Sequence, residues 1–184
     1  MAFKLIGTTI LYLILSFGSV MASPWDNWTD YETIYQRGYW VLDINKYSDG
    51  TIACESRTTN SDDYWFKMLT INTGDYVIQF ENNGWAFGEQ QLNQEFVVEI
   101  DRHGPWTIPG FKQGKAIFVK VTPPSSGLSR FFNEVARGNT LYLRNDRGIE
   151  IARFSLRGTS ATLSQHRACE RRIFSGFRSN DPFN

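Results

Sequence analysis

Residues 39–54 read Tyr-Trp-Val-Leu-Asp-Ile-Asn-Lys-Tyr-Ser-Asp-Gly-Thr-Ile-Ala-Cys, and this stretch decides the fold class. Two short runs of aromatic and aliphatic residues, Tyr39–Ile44 and Thr51–Cys54, flank the turn sequence Tyr47–Gly50. Asp-Gly between such runs signals a β-hairpin, because glycine accepts the positive φ that a tight turn requires. The stretch therefore predicts two antiparallel strands joined by a turn at Asp49-Gly50.

The same pattern continues along the chain. Runs rich in Val, Ile and aromatic residues, separated by Gly, Pro and Asn, predict strands at 64–71, 76–80, 96–100 and 116–121 and a hairpin over 141–156. We expect a mainly β (α+β) protein, an antiparallel β-sandwich or a partly open barrel, whose strand order the sequence does not indicate.

Two late helices follow from a different spacing. Leu128, Phe131, Phe132 and Val135 stand at i, i+3, i+4 and i+7, which is typical of one helix face. A serine before this run can cap its start, and Gly138 stands where a left-handed C-terminal cap belongs. The helices are predicted at about 128–137 and 160–171.

The first 22 residues have the features of an export signal. Lys4 is followed by the apolar run Leu5–Phe17, and Val20-Met21-Ala22 provides small residues before a cleavage point ahead of Ser23. The alternative is an uncleaved membrane anchor, but a spanning helix needs about 20 apolar residues and this run is shorter. We therefore predict cleavage after Ala22 and a periplasmic or secreted protein.

Composition divides the remainder of the chain. Residues 23–37 are polar with scattered aromatic residues and no clear period, so they are predicted to be an irregular lead-in. Residues 38–173 are predicted to form a single β-rich domain, and the Gly-, Ser- and Asn-containing residues 174–184 a flexible tail. After cleavage no integral membrane segment is expected.

Charge excludes several classes of partner. The whole chain has 19 basic and 19 acidic residues, and removal of Lys4 leaves the mature chain near −1. Nucleic-acid binders need a basic face that neutralises phosphates, so no nucleic-acid partner is expected.

Two cysteines, Cys54 and Cys169, are far apart in the sequence. In an exported protein an even count predicts a disulfide, and neither cysteine belongs to a C-x-x-C motif or lies at metal-ligand spacing from a histidine. We predict one structural disulfide between them.

Candidate catalytic residues are few. Glu99, Asp101 and His103 alternate, so in a strand they share one face and could orient a general base. No nucleophile motif accompanies them, and a strand end with solvated charges is the preferred interpretation. His166, among several arginines, is predicted to be a surface residue. The chain is predicted not to be an enzyme and to use no metal and no cofactor.

Aromatic residues in loops are the candidate binding residues. Trp85 and Phe87 follow Asn83-Gly84, and Trp106 lies between Pro105 and Pro109. Such side chains bury a large area at low entropic cost, which suits binding anchors. The alternative is that they close the ends of the β core.

Several segments together carry a family resemblance, which spans residues 38–170. The segments that carry it are Trp40-Val41, Cys54, Asn83-Gly84-Trp85, Phe131–Asn139 and Phe154–Ala161. Its most specific part is the last of these, read as F-S-L-R-G-T-S-A and followed by Cys169. The chain resembles small exported bacterial proteins similar to invasion-associated locus B. The resemblance implies a β-rich periplasmic or secreted protein with one disulfide, and it implies no reaction and no functional residues.

These observations favour an exported, non-enzymatic accessory protein of the bacterial envelope or host interface that binds another protein. The alternatives are a lipocalin-like carrier with an aromatic-lined β cavity, suggested by Gly38-Tyr39-Trp40, and an enzyme that depends on His103.

Overall fold

The computed structural model describes residues 28–101, 103–123 and 125–175. The predicted signal peptide, residues 23–27 and most of the predicted tail lie outside the described residues. Ten strands and two helices follow one another: β1 (Trp28–Arg37), β2 (Trp40–Tyr47), β3 (Ile52–Thr59), β4 (Tyr64–Ile71), β5 (Tyr76–Asn82), β6 (Leu92–Ile100), β7 (Trp106–Gln113), β8 (Ala116–Val121), α1 (Ser126–Arg137), β9 (Thr140–Arg144), β10 (Glu150–Ser155) and α2 (Thr159–Ser175).

All ten strands form one antiparallel sheet with the order β1-β2-β3-β4-β5-β8-β7-β6-β9-β10, and the sheet is not closed. This confirms a mainly β α+β fold with two late helices. The sheet curls so that its two ends approach each other. Trp40 Nε1 at the start of β2 donates to the Ser155 carbonyl of β10 at 3.3 Å. Asn60 Nδ2 likewise donates to the Arg153 carbonyl at 3.1 Å.

The hairpin predicted at Asp49-Gly50 is confirmed. Gly50 has a φ of +84°, and Asp49 Oδ1 accepts a hydrogen bond from the Thr51 backbone N–H at 2.9 Å. An aspartate that binds the backbone two residues ahead fixes this turn, and glycine takes the left-handed position without steric cost.

The main core lies on the inner face of the curled sheet and is filled by aromatic side chains. Phe66 and Phe80 stack with ring centroids 5.2 Å apart, and Phe154 lies 5.7 and 6.0 Å from them. Phe131 and Val135 of α1 are buried in the same cluster. The apolar face of α1 therefore packs on the sheet as the i, i+3, i+4, i+7 spacing predicted.

The Cys54–Cys169 disulfide is confirmed. It joins β3 to α2 across 115 positions, inside a cluster that includes Leu42, Ile44 and Ile173. The disulfide and these apolar contacts fix α2 to the first strands of the sheet.

The predicted irregular lead-in over residues 23–37 is wrong for its described part. Residues Trp28–Arg37 form β1, which pairs with β2 through two irregularities, at Trp28/Asp30 and at Thr33/Tyr35. Each bulge shifts the alternation of side chains by one residue, so no period of two is visible in the sequence.

Strand β7 was also missed, since Pro109 and Gly110 normally end a strand. Pro109 pairs with Glu95 of β6, and the pairing of β7 with β8 begins only at Phe111. The proline thus stands where β7 has a single neighbour, a place where a strand tolerates a missing N–H.

Both helices are longer than predicted. The helix α1 begins at Ser126, with the Ser125 hydroxyl accepting from the Leu128 N–H, and α2 runs on through Ser175 into the predicted tail. Gly138 has a φ of −74°, so it is not the left-handed cap that was expected. A Cβ there would lie 2.6 Å from Ile100 Cγ2, so close packing is the reason for glycine.

The substitution Gly110→Ala is expected to destabilise the protein by about 1 to 3 kcal/mol, the usual range for overpacking. An added Cβ would lie 2.4 Å from the Phe118 carbonyl oxygen, a backbone atom that cannot turn away. Urea unfolding measures the effect. Gly104→Ala is the matched control, since nothing lies within 4 Å of its Cβ position. Equal unfolding midpoints for the two variants would contradict the packing argument.

Candidate functional site

The predicted binding residues Trp85 and Phe87 pack against the main core at the end of β5. Both are half-buried, and their ring centroids lie 5.2 Å apart. Trp85 also meets Tyr64 edge to face at 5.5 Å, and the Lys112 ammonium lies 5.5 Å from the Phe87 ring. Their contacts serve packing, and their role as binding anchors stays a prediction.

Trp106 belongs to a separate set of contacts at the start of β7. Its indole N–H donates to Glu134 Oε2 at 2.7 Å, its ring meets Phe131 edge to face, and the Arg130 guanidinium lies 4.8 Å from the ring centroid. Partial burial acts to raise the pKa of Glu134, but hydrogen bonds from Trp106 and Arg130 outweigh it and hold that pKa below its usual value. Trp106 therefore joins β7 to α1.

Glu99, Asp101 and His103 do not form a catalytic face. The strand ends at Ile100, Asp101 has a φ of +53°, and its carboxylate accepts from the backbone N–H groups of Asn139 and Thr140. Glu99 is paired with Arg144 at 2.9 Å. The carboxylates of Glu99 and Asp101 are thus held by other groups and not by the His103 imidazole.

His166, predicted on the surface, is buried, with 2% of its surface exposed. It lies on the face of α2 that packs on β2 and β3, together with Thr159, Thr162, Leu163, Cys169 and Ile173. The arginines around it in the sequence occupy the opposite, exposed part of the helix. The prediction was wrong because neighbours in sequence point to different sides of a helix.

The hydrogen bonds of His166 show which ring nitrogen carries a proton. Nδ1 lies 2.7 Å from Ser56 Oγ, and Nε2 lies 2.8 Å from Thr70 Oγ1. The Thr70 hydroxyl donates its only proton to Glu170 Oε1 at 2.7 Å, so it accepts from Nε2–H. Burial, followed by the charge of Arg167, lowers the pKa of His166 to about 4, so the imidazole is neutral near pH 7 and Nδ1 accepts from the Ser56 hydroxyl.

A serine hydroxyl that donates to an imidazole is also the arrangement that activates a serine nucleophile in some enzymes. Ser56 and Thr70, however, are fully buried beneath α2, so no substrate atom reaches the Ser56 hydroxyl. A surface cleft of about 170 Å³ borders this network, lined in part by Tyr76, His166 and Glu170. Burial, followed by the nearby Glu170 carboxylate, raises the pKa of Tyr76 to about 12. The hydrogen bonds among Ser56, Thr70, His166 and Glu170 therefore hold α2 on the sheet.

A second cleft lies on the opposite face of the first five strands, and we call it the β1–β5 cleft. It has a volume of about 310 Å³ and is lined by Trp28, Tyr31, Asp43, Asn45, Glu55, Arg57, Trp65, Lys67 and Glu81. Strand alternation places these residues together, because the side chains of β2 to β5 that face the core are their sequence neighbours. We take this cleft as the candidate site.

Buried ion pairs form the floor of the cleft. Arg57 Nε lies 2.8 Å from Asp43 Oδ2 and 3.5 Å from Glu55 Oε1, and Lys67 Nζ lies 2.7 Å from Glu81 Oε2. The carboxylates of Asp43 and Glu55 are only 3% and 7% exposed. Charge-assisted bonds among buried groups hold each side chain in one geometry, so the floor is pre-organised.

Aromatic rings border this floor. Trp28 and Tyr31 project from the edge strand β1 and meet edge to face at 4.8 Å, and both remain about half exposed. The Arg57 guanidinium lies 5.4 Å from the ring centroid of Trp65 in β4. The cleft therefore combines two exposed rings with a charged interior.

The sequence analysis missed this cleft. The signal was present as charged or amide residues at every second position of inner strands: Asp43 and Asn45, Glu55 and Arg57, and Gln79 and Glu81. Their meeting depends on the register between β2 and β5, which the sequence did not supply.

Within the described part of the chain, no three His, Cys, Asp or Glu side chains are grouped so that they could hold a metal ion. No helix among residues 28–101, 103–123 and 125–175 has both the length and the apolar character to cross a membrane.

Comparisons of this chain with protein-family models, with curated proteins and with solved structures found no match.

Proposed function

We propose that this chain is an exported, non-enzymatic accessory protein that binds another protein at the bacterial envelope or at a host interface. The observation that carries the proposal is the β1–β5 cleft, a solvent-facing site with a fixed charged floor and two half-exposed rings. Tryptophan, tyrosine and arginine are enriched at protein interfaces and carry a large share of the binding energy there, and the cleft presents all three residue types.

The periplasmic or secreted location is part of the same proposal. The Cys54–Cys169 disulfide is compatible with an oxidising compartment, and the features of residues 1–22 are those of an export signal. The resemblance to proteins similar to invasion-associated locus B points to the same compartment and remains a prediction.

The two alternatives have less support. A lipocalin-like carrier needs an open interior, whereas the rings of Phe66, Phe80 and Phe154 are in mutual contact inside the curled sheet. An enzyme needs a reachable reacting group, whereas the Ser56 hydroxyl beside His166 is fully buried. The Glu99 and Asp101 carboxylates bind Arg144 and backbone N–H groups and not His103.

The test is native mass spectrometry of the mature protein purified without denaturation from its producing cells. We expect a stoichiometric protein partner with the wild type and with Tyr39→Ala, and loss of that partner with the double variant Trp28→Ala/Tyr31→Ala. Tyr39 is the matched control because it is an exposed aromatic residue, 77% accessible, outside the cleft. A bare wild-type monomer that also retains no protein from envelope or host extracts would reject the proposal.

A further inference from the structure

The β1–β5 cleft carries an excess of negative charge. Three carboxylates, of Asp43, Glu55 and Glu81, face two cationic groups, of Arg57 and Lys67, so the lining has a formal charge of −1. In a partly buried site this imbalance attracts a positive group more strongly than it does in water.

Both cationic groups of the cleft already have carboxylate partners. Arg57 binds Asp43 at 2.8 Å, and Lys67 binds Glu81 at 2.7 Å, with Lys67 and Glu81 only 12% and 14% exposed. An anionic ligand would have to break one of these pairs and leave a buried carboxylate unpaired, which is costly. The cleft therefore does not suit an anion.

One buried acceptor beside the cleft also lacks a donor. The Gln79 side-chain N–H donates to Glu81 Oε2 at 3.2 Å, while Gln79 Oε1 has no hydrogen-bond partner among the described residues. Gln79 is fully buried. Glu81, to which Gln79 donates, does line the cleft, so this end of the cleft offers carboxylate acceptors to a ligand that brings donors.

The cleft already accommodates one guanidinium. Arg57 lies between a carboxylate at 2.8 Å and the Trp65 ring at 5.4 Å, so its charge is neutralised and its flat face is covered. Trp28 and Tyr31 provide two more rings at the mouth of the cleft, and both are about half exposed. Ring faces attract cations, most strongly where water is partly excluded.

We propose that the β1–β5 cleft binds one cationic side chain, arginine or lysine, projected by the partner protein. This proposal rests on the proposed function, whose partner it describes. The cleft volume of about 310 Å³ is at the lower end of the range for small ligands, about 300 to 1,000 Å³, so it fits a side chain and not a folded segment.

The experiment uses the mature full chain and the probe N-acetyl-arginine methylamide, followed by ¹H–¹⁵N NMR of the tryptophan indole groups. N-acetyl-citrulline methylamide is the control probe, because it has nearly the same shape and no charge. We expect the arginine probe to shift the Trp28 and Trp65 signals saturably, with a dissociation constant on the order of 10 mM. We expect the citrulline probe to bind at least fivefold more weakly.

Variants locate the effect. Trp28→Ala, at a half-exposed position at the start of the edge strand β1, should weaken binding of the arginine probe severalfold, and Tyr39→Ala should leave it unchanged. Equal binding of the two probes, or shifts that do not saturate and persist in Trp28→Ala, would overturn the proposal.

The outcomes separate this inference from the proposed function. A partner that wild type and Trp28→Ala/Tyr31→Ala retain equally, with no binding of the arginine probe, rejects the cationic site and leaves protein binding in place. Specific binding of the arginine probe to a chain that retains no partner supports the cationic site and rejects the proposed function.

Discussion

Loss of the Cys54–Cys169 disulfide is expected to lower the free energy of unfolding by about 4 to 5 kcal/mol, the value that chain entropy gives for a closed loop of this size. The bond links positions 115 residues apart, so it removes many conformations from the unfolded chain. A domain of this length has a total stability of about 5 to 15 kcal/mol, so the loss is a large share.

Urea unfolding of the oxidised and the reduced wild type measures this effect without any change of sequence. The double variant Cys54→Ala/Cys169→Ala is the matched control, and it should unfold at a urea concentration close to that of the reduced wild type. A difference below about 1 kcal/mol between oxidised and reduced protein would contradict the entropic account.

Acidification is expected to destabilise the protein through His166 by about 3 kcal/mol between pH 6.5 and pH 4. Burial, followed by the charge of Arg167, lowers the pKa of His166 from 6.5 to about 4. In this interval the unfolded chain binds a proton that the folded chain does not, so stability falls as the pH falls. Well above pH 6.5 neither state is protonated and His166 adds no pH dependence.

The surroundings of His166 explain why its pKa is low. Glu170 Oε1 lies 3.7 Å from Nε2, but the Thr70 hydroxyl binds both groups and already gives its proton to the carboxylate. A protonated ring would have to donate from Nδ1 to Ser56 Oγ, and the buried serine hydroxyl would then need another acceptor for its own proton. The desolvated cation is therefore disfavoured.

Urea unfolding at pH 4.5 and at pH 7.5 tests the prediction, with the His166 ring titrated directly by NMR. The variant His166→Gln should lose most of the extra acid sensitivity, while His103→Gln, which changes the other histidine of the chain, should retain it. A ring pKa near 6.5 in the folded protein, or equal acid sensitivity in the two variants, would show that His166 is not the cause.

The sequence predicted the features that depend on local chemistry. Asp49-Gly50 specified its turn, the spacing from Leu128 to Val135 specified a helix face, and the two cysteines specified one bond. The turn and the helix face depend on residues a few positions apart, and a chain with two cysteines allows only one intramolecular disulfide.

The features that depend on distant neighbours were not predicted. The position of β8 next to β5, and not next to β7 alone, is set by the packing of the whole sheet. The burial of His166 depends on Ser56 and Thr70, 110 and 96 positions away. The β1–β5 cleft depends on a strand whose two bulges conceal its period.

The placement of the two cysteines also sets an order of events. Any polypeptide made from its N-terminus to its C-terminus presents Cys54 long before Cys169, which lies on the last element of the fold. During that interval the first thiol has no partner of its own chain and is open to attack by other thiols and disulfides. The native disulfide therefore forms only if Cys54 is still a free or exchangeable thiol when Cys169 is made.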